Sequence, residues 1–269
     1  MKSVTISGTG LAVSRLVFGT ASLIKAGSAR NRIAVLEEAV AQGFTHFDTA
    51  PYYGFGLGER DLAPVLRAHP AITFTTKVGI YSPGGENQPA LAVLLRKVAG
   101  KTIKAIVRPE IDFALDRART TLDASLRRTG RDCIDLYLMH EPEVGLVRLD
   151  EWRRWLEDCV TAGKIRHYGA ALTAERLEDF LTLGDDPGQI LQVSDSIADH
   201  EADVLARAGR PMQLTFGYIS AALRAANPPP VAQVIARALA RNNQGAVLVS
   251  TTKLHRVAQL ADMARAAGA

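Results

Sequence analysis

Cysteine is scarce: Cys133 and Cys159 are the only two in 269 residues, and no C-x-x-C pair exists. That excludes a disulfide framework and a thiol redox motif. Both cysteines read as small core residues in a reducing compartment. No apolar run approaches the ~18 residues a membrane span needs. The opening stretch, MKSVTISGTGLAVSRLVFG, has neither a long apolar segment nor an A-x-A site. No signal peptide is expected, and the cytoplasm is the default location. Neither sign of charge dominates, because 32 Lys+Arg stand against 28 Asp+Glu and the net is +4. Interspersed charge of this kind gives no support to a nucleic-acid stripe; a phosphorylated small molecule needs only a few local cations. Three motifs are missing as well: G-x-G-x-x-G between a strand and a helix, H-E-x-x-H, and G-x-S-x-G. Their absence argues against a Rossmann site, a zinc site and a serine-hydrolase elbow. No metal is expected.

What is present is alternation. Hydrophobic residues make up 47% and charged ones 22%, ordinary for a globular chain. Short apolar runs predict strands at Arg15–Gly19, Thr45–Asp48, Ile72–Lys77, Ile134–Met139, Ile165–Ala170, Ile190–Ser194, Met212–Phe216 and Ala246–Ser250. Between them, amphipathic stretches predict helices at Arg30–Ala41, Glu59–Arg67, Phe113–Arg128, Leu149–Thr161, Ala174–Leu183, Glu201–Ala208, Val231–Arg241 and Leu254–Ala267. In the fourth of these, Trp152, Trp155, Leu156, Cys159 and Val160 recur at helical spacing and predict a core-facing stripe. Eight strand–helix units without a linker predict an α/β fold, a single (β/α)8 TIM barrel over residues 1–269. The segment Val4–Val13 reads as a short N-terminal β-hairpin that could plug the barrel bottom.

Barrels of this kind carry their active sites at the C-terminal ends of the strands. There the sequence places Gly19 and Thr20, then Asp48 and TAPYYG, then Lys77, then His140 and Glu141. Gln192, Phe216, Ser250, Thr251, Thr252 and Lys253 follow on later strands. Tyrosine is a poor acid in water, with a pKa near 10. A neighbouring ammonium favours its phenolate, so Lys77 would make Tyr53 a better proton donor. Asp48 would hold that ammonium charged, and His140 would orient a carbonyl by donating a hydrogen bond. Such a site protonates an oxygen while something else delivers to the carbon.

At these residues the chain resembles the aldo-keto reductase family. The matching segments are HFDTAPYYG (Asp48, Ala50, Tyr53 and Gly54 of D-x-A-x-x-Y-G), TTKVG around Lys77, IDLYLMHEP around His140, and GKIRHYG from Gly163. They run in order from SRLVFGTASL to VSTTKLHRVAQL, and GFGLGER and HEP are most similar to the bacterial sugar or aldose dehydrogenase-like branch. The resemblance implies hydride transfer between a nicotinamide dinucleotide and an aldehyde, ketone or sugar. It assigns Tyr53 as general acid/base, Lys77 and Asp48 as its tuning pair, and His140 as carbonyl orienter. Gln192 would hold the nicotinamide amide, Phe216 would stack on its ring, and Gly19 and Thr20 count among the cofactor-binding residues. Thr251, Thr252, Lys253 and Arg256 would take the adenosine phosphate, with Ser250 and Gln259 as further cofactor-binding candidates. Lys253 and Arg256 at a helix start also form an anion site on physical grounds, favouring NADP(H), with NAD(H) as the alternative. The expected partner is a small carbonyl or sugar substrate, with no nucleic acid and no membrane, in a monomer or weak homodimer. Two departures stand out. Ala171-Leu172 occupies the place of the family's Ser-Asn, and the connection Tyr218–Val231 is short.

Plainer readings stand beside these. Asp48 and Lys77 could be a structural ion pair, Phe216 a core residue, and Lys253 and Arg256 solvated helix residues. Glu141 could act as an acid, but with Pro142 following it reads more readily as a loop-stabilising group. The basic run Lys97, Lys101, Lys104 and Arg108 reads as a solvated face. At the level of function, a catalytically weak nucleotide-binding or sensor protein on the same barrel remains open. So does an isomerase or lyase using Lys77 as a Schiff base.

Overall fold

The structure is a computed structural model that describes residues 1–89, 92, 93, 95, 96 and 108–269. Of the basic run, Lys97, Lys101 and Lys104 lie outside the described residues.

A two-stranded antiparallel hairpin comes first, β1 (Ser3–Thr5) against β2 (Ala12–Ser14). Eight parallel strands then close into a barrel. In chain order they are β3 (Leu16–Gly19), β4 (His46–Asp48), β5 (Thr73–Val78), β8 (Ile134–His140), β9 (Ile165–Leu172), β10 (Ile190–Ser194), β11 (Leu214–Phe216) and β12 (Ala246–Val249). Each pairs with the next, and β12 closes on β3 through Val247↔Leu16 and its neighbours. Helices follow the strands at Ala29–Ala41, Leu57–Ala68, Leu115–Thr129, Leu149–Thr161, Ala174–Thr182, Asp203–Arg207, Val231–Arg241 and Leu254–Ala266. The predicted (β/α)8 barrel is therefore the fold.

Strand periodicity divides the core in two. Val17, Leu136, Leu138, Ala171, Ile190, Leu214 and Ala246 form a cluster that Ile6, Leu11 and Val13 of the hairpin join. The hairpin thus stops the barrel with apolar side chains, as expected. The alternate residues, among them Phe18, Phe47, Phe74, Tyr137 and Met139, pack outward with the helices. Backbones approach closely where β9 meets β10: a Cβ on Gly169 would lie 1.8 Å from the Ile190 carbonyl oxygen, so only glycine fits.

Several local readings need correction. Val160 is exposed, at the edge of a helix whose buried face is Trp152, Trp155, Leu156 and Cys159. Cys133, just ahead of β8, is half-buried rather than a core residue. The pair β6 (Ile80–Tyr81) and β7 (Glu110–Ile111), and the short helix Tyr218–Ala222, were not expected. Each is too short to carry a periodic signal. His46 needs no correction of this kind and is a structural residue: it is fully buried, with its ring nitrogens 2.7 and 2.8 Å from the Thr73 and Thr75 hydroxyls.

Candidate active site

Strand register assembles the site. Gly19 pairs with Asp48, and Asp48 with Thr75, two residues before Lys77. His140 pairs with Ala171, and Ala171 with Gln192. Asp48, Lys77, His140 and Gln192 therefore stand together at the C-terminal rim. Tyr53 joins them from the turn after β4. There Gly54, Phe55 and Gly56 all adopt positive φ, and the Tyr53 N–H donates to the Ala50 carbonyl at 3.0 Å. The helix that follows starts tight against the strand end, since a Cβ on Gly58 would come within 2.9 Å of the Thr49 hydroxyl.

Lys77 is 1% exposed, and its ammonium has three acceptors: Asp48 Oδ1 at 2.6 Å, the Thr49 carbonyl at 3.0 Å and the Tyr53 hydroxyl at 3.3 Å. Burial pulls its pKa down, but Asp48 and Tyr53 more than offset this and leave it raised. A lysine held protonated in this way is a poor Schiff-base nucleophile. Burial raises the Asp48 carboxyl, with Lys77 pulling against it. Tyr53 corrects the simple expectation. Lys77 does lower its pKa, but burial outweighs that pull, so the phenol sits above its ordinary value and keeps its proton at neutral pH. His140 stands edge-on to Tyr53, with ring centroids 5.7 Å apart. Burial, Lys77 and Arg176 push its pKa far down, so the imidazole is neutral.

These groups open onto a pocket of about 500 Å³ whose lining also includes Glu141, Ala171, Gln192, Phe216 and Ser250. Chemically, the arrangement offers a protonated phenol beside a fixed ammonium, and a neutral imidazole across from it. Together they can donate a proton and a hydrogen bond to one oxygen. Gln192 Oε1 is buried without a partner among the described residues, an acceptor suited to a ligand's amide N–H. Phe216 is half-exposed and Gly19 lies on the pocket wall.

The remaining candidates lie outside the pocket lining. Thr20 is buried, with its hydroxyl 2.9 Å from that of Thr49. Thr251 accepts from the Lys253 N–H at 3.2 Å, shaping the turn into the last helix. Thr252 is half-buried, and Lys253, Arg256 and Gln259 are exposed beyond Ser250. Neither Lys253 nor Arg256 has an ion-pair partner among the described residues. Tyr52, next to Tyr53, does not line the pocket. The helix Tyr218–Ala222 contributes Ile219 and Ser220 to the wall, which its length hid from the sequence pattern.

A model described as the Aldo/keto reductase family matches residues 15–208, more than half the chain. D-threo-aldose 1-dehydrogenase of a Pseudomonas species is 35% identical over 143 residues, 51% of this chain and 43% of that protein. The NADH-specific methylglyoxal reductase of Escherichia coli is 30% identical over 211 residues, 74% of this chain and 60% of that protein. The chain spans about half the length of the curated relatives it matches. Among solved structures, an aldo-keto reductase from Bacillus halodurans in its holo form superposes with a TM-score of 0.74. That pair shares 19% identity and covers 98% of this chain and 91% of the other, a likeness of fold.

Proposed function

The chain belongs to the aldo/keto reductase family, and on that footing we propose that it is a nicotinamide-dependent oxidoreductase interconverting aldehydes or ketones, sugars among them, with alcohols. The observation that carries this reading is the Lys77 ammonium, held by Asp48 and placed against the Tyr53 hydroxyl on a pocket wall shared with neutral His140. Relatives that act on an aldose and on methylglyoxal support the substrate class.

The residues present fit a nicotinamide dinucleotide. The unpartnered Gln192 Oε1 would accept from the carboxamide, and Phe216 would lie on the ring. Lys253 and Arg256, at the start of the last helix, would hold the phosphates, and their two charges favour NADP(H) over NAD(H). When bound, the nicotinamide supplies hydride to the carbonyl carbon. Tyr53 donates its proton to the carbonyl oxygen, and the adjacent Lys77 ammonium stabilises the phenolate left behind. Asp48 keeps Lys77 charged and in place. His140 donates its one imidazole N–H to the same oxygen and so fixes the carbonyl's orientation. Ala171 and Leu172 offer the cofactor no side-chain hydrogen bond, so Gln192 alone would orient the carboxamide from this wall.

Mixing the protein with NADPH or NADH and a panel of aldehydes tests the reading. Reduced-cofactor absorbance is expected to fall with aldehyde present. Cofactor binding without turnover over the whole panel would instead favour a sensor role, for which Ala171-Leu172 is the motivating feature.

A further inference from the structure

Glu141 lines the pocket, and the reading above gives it no task. It follows His140 directly and adopts a φ of 53°, a left-handed conformation that costs any residue bearing a Cβ. Two contacts hold the backbone there. The Glu141 N–H donates to the Ala171 carbonyl at 2.7 Å, and the Glu141 carbonyl accepts from Arg176 Nη1 at 2.5 Å. On the side chain, Oε2 accepts from the Thr173 N–H at 3.2 Å and faces Arg176 Nη1 at 3.4 Å. Oε1 has no hydrogen bond among the described residues, and the side chain is 24% exposed.

Glu141 is the pocket-lining group whose charge no other lining residue balances. Of the other ionisable groups on the wall, Asp48 and Lys77 neutralise each other, Tyr53 keeps its proton and His140 is neutral. Arg176 cancels the Glu141 charge only in part, because its Nη2 donates to Glu143 Oε1 at 2.5 Å and its charge serves two carboxylates. The field of Glu141 reaches the reacting end, being felt at Tyr53, and Lys77 is felt at Glu141 in turn. Burial raises the Glu141 carboxyl from its ordinary value, which makes the carboxylate a stronger hydrogen-bond acceptor.

We infer that Glu141 is a specificity-determining residue, which accepts a hydrogen bond from a substrate hydroxyl near the carbonyl and turns away substrates carrying a phosphate or carboxylate there. The inference rests on the carbonyl-reducing function proposed above. An accepting carboxylate with one free oxygen rewards a neutral hydroxylated carbonyl compound, and the net negative charge of Glu141 and Glu143 against the single Arg176 opposes an anion.

The test compares kcat/KM for three probes on one carbon frame: propanal, glyceraldehyde and glyceraldehyde 3-phosphate. Wild type is set against Glu141→Gln, which retains an acceptor for the Thr173 N–H and removes the charge. Propanal serves as the internal reference, so loss of active protein cancels in the ratios. The glyceraldehyde-to-propanal ratio is expected to fall about tenfold in the variant, and the phosphate-to-propanal ratio to rise about tenfold, in line with charge-assisted hydrogen bonding. Unchanged ratios, with wild type active on propanal, would overturn this assignment alone and leave Glu141 a loop-stabilising group. A wild type that reduces none of the three with either cofactor would overturn the proposed function and this inference with it.

Discussion

At the residue scale, the site depends on opposing effects at Tyr53. Burial holds its proton on, Lys77 draws it off, and Asp48 works against Lys77. Two substitutions should therefore move the pH dependence in opposite directions. Lys77→Met is expected to lower the rate of carbonyl reduction by about 10²–10³ and shift its alkaline limb to higher pH. Asp48→Asn is expected to lower the rate by about tenfold and shift the limb to lower pH. Rate profiles across pH check both; lowered rates with unmoved limbs would make the pair purely structural. The identities of these residues were legible from the chain, because D-x-A-x-x-Y-G, Lys77 and His140 fall at successive strand ends. The direction of the Tyr53 shift was not, since it turns on burial, which no local motif encodes. Glu141 was legible as a rim residue, but its left-handed backbone was not, because Ala171 and Arg176 hold it from two other segments.

His46 gives a second residue-scale prediction, about stability. Burial and Lys77 depress its pKa from 6.5 to about 3. The unfolded chain therefore binds a proton between those values that the folded chain does not. Stability is complete above pH ~6.5 and falls as pH drops toward 3, at up to about 1.4 kcal/mol per pH unit from this group. Urea denaturation at several pH values should show that slope reduced by about one proton in His46→Asn. An equal slope in both proteins would contradict it.

At the scale of elements, the helices Ala29–Ala41 and Leu57–Ala68 are locked by a buried ion pair. Arg32 Nε and Nη2 reach the two oxygens of Asp61 at 2.5 and 3.1 Å, and both side chains are 6% exposed. Arg32→Met should destabilise the fold by about 3–5 kcal/mol in urea denaturation, because Asp61 is left charged and unpaired. Adding Asp61→Leu should recover most of that loss. A single variant within ~1 kcal/mol of wild type would show that the pair contributes little. The sequence pattern placed all eight barrel strands and their helices, with ends shifted by a residue or two. Its failures are elements of two to five residues, β6, β7 and Tyr218–Ala222, where tertiary contacts rather than periodicity decide the conformation. Val160 failed because an i+8 position drifts off the buried face of a straight helix.

At the scale of the molecule, parallel strands bring the candidates Asp48, Lys77, His140 and Gln192 to one rim, while the N-terminal hairpin closes the other end. The pocket runs from Tyr53 to Ser250, with Lys253 and Arg256 just beyond. If those two cations bind the cofactor's additional phosphate, NADP(H) should bind about ten- to a hundredfold more tightly than NAD(H). Arg256→Ala should remove most of that preference while leaving NAD(H) affinity near its wild-type value. Dissociation constants for both cofactors check this, and equal wild-type affinities would defeat it. The central claim is that Tyr53 supplies the proton, and its most direct test is a single-turnover experiment with saturating NADPH and aldehyde on wild type and Tyr53→Phe. Removing the general acid should slow cofactor oxidation by about 10²–10⁴ while cofactor affinity stays within a few-fold. Oxidation in Tyr53→Phe at a rate close to wild type would contradict the account.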